Sequence, residues 1–146
     1  MVKTIVIGSD HGGFHLKQAC IKALGDWGHE VLDQGPDCLD SCDYPVYAAK
    51  VVDLVKADDH KLGVLICGTG QGMTMTANRL GVRAALCTNE FLARMAREHN
   101  DARILCLGER VTGQGLALSI LKTFLETGFG GARHQRRIDL IDTLSK

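Results

Sequence analysis

Leu62-Gly63-Val64-Leu65-Ile66-Cys67-Gly68-Thr69-Gly70-Gln71-Gly72 joins an apolar run to three glycines in five residues, and a helical pattern, Gln71–Arg79, follows. An apolar run with no polar face predicts a strand covered on both sides, as in a parallel sheet. A strand that turns through glycines into a helix is the repeating unit of α/β proteins. Outward from this stretch lie four similar runs: Thr4–Gly8, Glu30–Asp33, Arg83–Thr88 and Arg103–Gly108. Phe14, Leu16, Ala19, Cys20, Ala23, Leu24 and Trp27 recur at spacings of three and four. That periodicity predicts an amphipathic helix over Phe14–Trp27, bounded by Gly12-Gly13 and Gly28. Further helices are expected over Tyr47–Val55 (entered through Pro45), Glu90–Glu98 and Gly115–Thr127. A last helix, Arg133–Leu144, has no strand after it.

The expected fold is therefore α/β: residues 1–146 as one Rossmann-like domain, an open, doubly wound, five-stranded parallel sheet. Ligands of such sheets bind at the carboxyl ends of the strands, which directs attention to Gly8–Gly13, Cys67–Gly72, Thr88–Glu90 and Gly108–Arg110. The 146 residues suit one domain of ordinary size. Hydrophobic residues are 45% and charged residues 23% of the chain, the composition of a globular protein. Seventeen Lys and Arg balance seventeen Asp and Glu. That balance argues against a nucleic-acid partner and leaves self-association weakly opposed. No apolar run approaches the ~18–20 residues of a membrane span, and no secretion signal is legible at the start. The six cysteines, mostly in apolar runs, are then expected as reduced thiols in the cytoplasm. Cys38 and Cys42 have zinc-like spacing but no second pair, so no metal is expected.

Several loops carry residues suited to chemistry. The glycines of Gly68-Thr69-Gly70-Gln71-Gly72 let backbone approach a ligand, and the helix they open aims free N–H groups at an anion. Cys67 faces that helix start, where a thiolate is favoured. A Gly-x-Gly-x-x-Gly fingerprint is not met, yet Glu90 stands roughly twenty residues on, so a nucleotide-binding domain remains an alternative. Asp10 and His11 follow the first strand. They read either as a simple N-cap or as contacts to a sugar or phosphate. His11 and His15 are spaced i, i+4, but no Glu lies between them to complete a metal motif. Glu98-His99-Asn100-Asp101 reads as a solvated turn, apart from the acid–base capacity of a histidine. Arg133 and Arg137, i, i+4 on the last helix, form a fork for a phosphate.

Taken together, the motifs resemble the ribose-5-phosphate isomerase B family, which includes galactose-6-phosphate isomerase subunits. The resemblance runs in order through Gly8–Gly13, Asp43-Tyr44-Pro45, Cys67–Gly72, Ala77-Asn78-Arg79, His99-Asn100-Asp101, Gly108-Glu109-Arg110-Val111 and Arg133–Arg137. It implies aldose–ketose isomerisation of a small phosphorylated sugar, most simply ribose 5-phosphate to ribulose 5-phosphate, through an enediolate and without cofactor or metal. By resemblance Cys67 is the base and His99 assists ring opening, with Thr69 beside Cys67 at the catalytic turn. Asp10 and Asn100 hold sugar hydroxyls, and His11, Arg110, Arg133 and Arg137 contact phosphate or substrate. The backbone of Gly68, Thr69, Gly70, Gln71 and Gly72 stabilises the enediolate oxygens. One branch of the family has a glutamate base where Met73 stands here, which places this chain with the cysteine branch. The Gly-Gly pair before the basic cluster is displaced by one, with Ala132 between. A catalytically silent phosphosugar sensor would need neither Cys67 nor His99. The resemblance also implies a homodimer or homotetramer with shared active sites. The last helix is expected to cross to a partner, with Cys67 and Arg110 supplied by different chains.

Overall fold

The computed structural model describes residues 1–146. Five strands, β1 (Thr4–Ser9), β2 (Glu30–Asp33), β3 (Lys61–Cys67), β4 (Ala84–Leu86) and β5 (Ile104–Gly108), alternate with helices α1 (Phe14–Asp26), α2 (Tyr44–Ala57), α3 (Gln71–Arg79), α4 (Glu90–Glu98) and α5 (Gln114–Glu126). A final helix, α6 (Arg133–Leu144), ends the chain, and one 3-10 turn, His11–Gly13, precedes α1. The sheet is wholly parallel, in the order β2-β1-β3-β5-β4.

Side chains alternate across the pleat and make two cores. Ile5, Ile7, Val64, Ile66, Leu105 and Leu107 pack under α1, α4 and α5. Val6, Leu65, Ile104 and Cys106 pack under α2 and α3. Connections that move one way along the sheet use the first layer and those that move the other way use the second, which keeps every crossover of one hand. The direction of travel reverses between β1 and β3, so the helices that follow these two strands lie on opposite faces and a switch point falls at their carboxyl ends.

The central strands β1, β3 and β5 are buried almost throughout, whereas the edge strands β2 and β4 are half-buried. β4, at the edge of the sheet, covers only three residues of its apolar run, and the Arg83 side chain just before it donates to the carbonyls of Asn100 and Asp101. α2 starts at Tyr44, three residues before the periodicity indicates. Its first turn has no buried side chain (Tyr44 and Val46 are exposed), so hydrophobic spacing cannot register it. α6 buries only Ile138.

One charge lies in the core. Lys17 of α1 is 0% exposed, and its Nζ donates to both carboxylate oxygens of Asp33, at 2.8 and 2.9 Å. Asp33 Oδ1 also accepts the Gly35 N–H at 2.9 Å, and Gly35 O accepts the Ser9 N–H. The pair thus ties α1 to the start of the β2–α2 loop.

Candidate active site

The turn after β3 is an arrangement of free backbone donors around a sulfur. Cys67, at the end of the strand, is buried, and its Sγ accepts the Gly70 N–H at 3.2 Å. Gly70, at φ +82°, supplies the left-handed step that turns the chain into α3. The N–H groups of Gly68, Thr69, Gly72 and Met73 have no acceptor within the chain. The Gln71 N–H is taken by Thr69 Oγ1 at 3.3 Å. A cluster of unpaired N–H groups at a helix start is a site for negative charge.

Neighbouring loops close around this turn. A Cβ on Gly108 would lie 2.5 Å from the Thr69 carbonyl, so only glycine lets β5 approach the turn this closely. The Glu109 and Arg110 N–H groups donate to the Cys67 and Gly68 carbonyls at 3.0 and 2.9 Å. The Arg110 guanidinium lies over Gly68, 3.4 Å from where a Cβ would stand. On the other side, Asp10 Oδ1 accepts the Gly12 and Gly13 N–H groups at 2.8 and 3.1 Å. The capping reading of Asp10 therefore holds, and its second oxygen makes no hydrogen bond within the chain. A Cβ on Gly12 would be 3.3 Å from Gly68 N, so the first and third turns touch. His11 Nδ1 accepts the Cys42 N–H at 3.2 Å, leaving Nε2 as its free nitrogen.

Tyr44 belongs to this edge as well, though its motif suggests no role for it. Its ring lies over Gly72, where a Cβ would be 2.6 Å away. The absent side chain at Gly72 is the only sequence signal for that contact. Glu109 is a further case, its Oε1 accepting the Leu16 N–H at the head of α1 at 2.7 Å.

His99, Asn100, Arg133 and Arg137 are elsewhere. In a parallel sheet each helix returns from the carboxyl to the amino edge, so the end of α4 lies with the starts of the strands. Hydrogen bonds bear this out. Arg83, just before β4, donates to Asn100 O, and Arg103, just before β5, donates to Asp58 O and Lys61 O beside the start of β3. Asp101, at φ +45°, accepts from Arg97 at 3.1 Å, and Arg97 also donates to Ala102 O, which sets the turn carrying Asn100. α6 begins here too. The Gly130 N–H donates to Glu98 O, and the His134 ring stacks on His99 with centroids 4.2 Å apart. Arg133 and Arg137 are exposed on the first turns of that helix.

One chain therefore holds two groups of candidate residues: Asp10, His11, Cys67–Gly72 and Arg110 at the carboxyl edge, and His99, Asn100, Arg133 and Arg137 at the amino edge. The seven residues of β3 separate them by about 20 Å. This corrects the expectation that Arg110 and Cys67 come from different chains, because Arg110 is bonded to the Cys67 turn of its own chain.

Burial pushes Cys20, Cys87 and Cys106 up to about 12, which holds them as inert thiols at neutral pH. Burial also raises Cys42. All six cysteines are free, and no three His, Cys, Asp or Glu side chains converge as metal ligands. Glu90 stands after the edge strand β4, with β5 between it and the Cys67 turn, an unfavourable place for a nucleotide ribose. Met73 is 0% exposed, a core residue and no base. No helix is long and apolar enough to cross a membrane.

The sequence model of the family described as Ribose/Galactose Isomerase matches residues 5–141. A putative sugar phosphate isomerase of Bacillus subtilis, YwlF, is 46% identical over 139 residues, covering 94% of this chain and 93% of its own. Ribose-5-phosphate isomerase B of Escherichia coli is 38% identical over 146 residues, covering 99% and 98%. Among solved structures, ribose-5-phosphate isomerase B of Clostridium thermocellum matches with a TM-score of 0.94 at 48% identity, covering 97% of this chain and 96% of that one. The enzyme of Mycoplasma genitalium, solved with bound ribulose-5-phosphate, matches at 0.92 with 43% identity, covering 98% and 97%.

Proposed function

The chain belongs to the ribose/galactose isomerase family and is a sugar-phosphate isomerase; from that premise we propose that it interconverts ribose 5-phosphate and ribulose 5-phosphate with Cys67 as the base. The observation that carries this reading is the Cys67 turn, a sulfur that accepts one N–H amid four others left free. A base there takes the C2 proton of the open-chain aldose, and the charge moves to O1 as an enediolate. Returning the proton to C1, while the O2 proton passes to O1, completes the ketose. The free N–H groups of Gly68, Thr69, Gly72 and Met73 suit the enediolate oxygens, and one such preorganised donor contributes roughly 3–4 kcal/mol. No metal or organic group is needed in these steps.

The substrate circulates as a furanose, so the C1–O4 bond opens first. His99 is the acid that protonates O4 as that bond breaks, the O1 hydroxyl gives up its proton to solvent water as C1 becomes the aldehyde, and Asn100 holds a neighbouring hydroxyl. Arg133 and Arg137, with Arg110 and His11, hold the phosphate, a remote anchor that fixes the reacting carbons. Because the two residue groups of one chain are about 20 Å apart, each active site takes its carboxyl-edge residues from one chain and its amino-edge residues from another. The uncommitted side chains support this division: Arg110, Arg133 and Arg137 make no hydrogen bond or ion pair with their side chains inside the chain.

Turnover of ribose 5-phosphate in deuterated water, by the wild type and by Cys67→Ala, tests the reading. The wild type is expected to place solvent deuterium at C1 of the ketose. Cys67→Ala is expected to lose about 10²–10⁴ in kcat while still binding substrate. Near wild-type kcat in Cys67→Ala would overturn the assignment of the base. Allose 6-phosphate and galactose 6-phosphate assayed beside it test the choice of sugar, which fails if either is the better substrate.

A further inference from the structure

We infer that His134 is a positioning residue for His99, its ring holding the His99 imidazole in the one orientation that presents it to the sugar's ring oxygen. This rests on the ring-opening role proposed for His99. The motivation is that little else orients that imidazole. His99 is the C-cap of α4, and its side chain is 38% exposed. Its nearest polar contact, Nε2 to Glu98 Oε1, is 3.8 Å, too long for a hydrogen bond. What does face the ring is His134, with centroids 4.2 Å apart and planes 17° from parallel.

Both halves of the stack are anchored through the backbone. The Gly130 N–H donates to Glu98 O at 2.8 Å, and Arg97 Nε donates to Thr127 O at 3.3 Å, tying the approach to α6 to the last turn of α4. Ile138, one turn beyond His134, is the buried contact of α6. His134 is thus delivered to His99 by structure fixed independently of either ring.

The electrostatics suit a passive partner. Desolvation, then the neighbouring His99, Arg133 and Arg137, lower the basicity of His134, while Glu98 opposes them. His134 accordingly meets His99 as a neutral ring at neutral pH. Two adjacent imidazoles resist carrying charge together, so the division of labour is one proton carrier and one support. A general acid acts only within hydrogen-bond reach of its target. A half-exposed histidine released from its stack spends much of its time in other rotamers.

Two rates separate this role from a merely structural one. The first is turnover of ribose 5-phosphate, which requires ring opening. The second is wash-in of solvent deuterium at C1 of ribulose 5-phosphate, an open chain because its O5 carries the phosphate, which requires only proton transfer at carbon. His134→Ala is expected to lower turnover by roughly 3- to 10-fold, the worth of one aromatic stack, with KM and the wash-in rate near wild type. His134→Phe, which keeps a flat ring, is expected to recover most of the turnover. The upfield ring-current shift of the His99 Cε1 proton should be lost in the Ala variant and kept in the Phe variant. Wild-type turnover in His134→Ala, a parallel fall in both rates, or a Phe variant no better than Ala would each overturn the inference. His99→Asn identifies the other failure. If it loses wash-in together with turnover, the ring-opening role of His99 is wrong and the inference falls with it.

Discussion

Removing either half of the Lys17–Asp33 pair breaks the same two hydrogen bonds, yet the two losses should differ several-fold because the partners are unequally buried. The side chain of Lys17 is 0% exposed and that of Asp33 is 40% exposed. Asp33→Ala leaves an ammonium inside the α1 layer with no carboxylate, a change worth about 3–5 kcal/mol when one partner of a buried pair is lost. Lys17→Met leaves a carboxylate that water reaches and that still accepts the Gly35 N–H. The methionine refills the volume against Phe14, over whose ring Nζ lies 5.4 Å from the centroid. Replacing a buried ion by a hydrophobe of similar size costs little, so Lys17→Met should stay within about 1 kcal/mol of wild type. For a chain of this length the Asp33→Ala loss corresponds to roughly 6–20 °C in Tm. Urea unfolding at neutral pH, followed by circular dichroism, measures both variants on one scale. Equal losses, or a larger loss for Lys17→Met, would refute the premise that burial decides the cost. Asp33→Ala also frees the start of the β2–α2 loop, so its KM should rise even where the protein is fully folded.

Gly108→Ala puts a Cβ 2.5 Å from the Thr69 carbonyl and must displace the Cys67 turn. Misplacement on the scale of 1 Å costs on the order of 10²-fold, so steady-state kcat should fall by about that factor, and an unchanged kcat would show that the turn yields freely. Ala132, at φ +49° and ψ −123°, sits where only glycine is at ease. Ala132→Gly should therefore raise stability by roughly 0.5–2 kcal/mol, the strain relieved less the entropy of glycine in the unfolded chain, and denaturant unfolding will register a loss instead if that backbone is unstrained. Stability should also fall on acidification. Burial lowers His29, with the N-terminus and Lys3 adding to it, and His134 is likewise lowered. Below the unfolded value of about 6.5 the unfolded chain binds more protons than the folded one, so this contribution is complete above that pH and lost as pH falls through it. Thermal melts between about pH 7 and 5 should show the fall, and His134→Gln should flatten it; an unaltered slope would contradict the assignment.

The bounds of α3, α4 and α6 were legible in the chain because glycine, asparagine or a change in periodicity punctuates their ends. The first turn of α2 was not, since its exposed Tyr44 and Val46 carry no burial pattern. The carboxyl-edge group of candidate residues was legible because glycine is required there for a reason, namely the close approach of the Thr69 backbone to Gly108, of Leu86 and Leu107 to Gly70, and of the Tyr44 ring to Gly72. The division of the candidate residues between two edges was concealed by reading motifs in order, which brings His99 next to Cys67 only on paper. Parallel connectivity alone implies the separation, for a helix that follows a strand must end at the other edge. Lys17 falls at the spacing of Cys20 and Leu24, on the buried stripe of α1, but a lone lysine reads as solvated until Asp33, sixteen residues away, is seen beside it. The His99–His134 stack joins two segments that no local pattern relates.

The central claim is that Cys67 of one chain works with His99 of another. It is tested most directly by mixing two inactive proteins, Cys67→Ala and His99→Asn, after unfolding and refolding them together. In a randomly paired dimer half the molecules are hybrids, and one of the two sites in each hybrid combines an intact Cys67 with an intact His99. Ribose 5-phosphate isomerisation should then return to about a quarter of the wild-type value. Cys67→Ala mixed with Arg110→Ala should recover nothing, because those two residues belong to the same edge of the same chain. No recovery in the first mixture, or recovery in the second, would contradict the account.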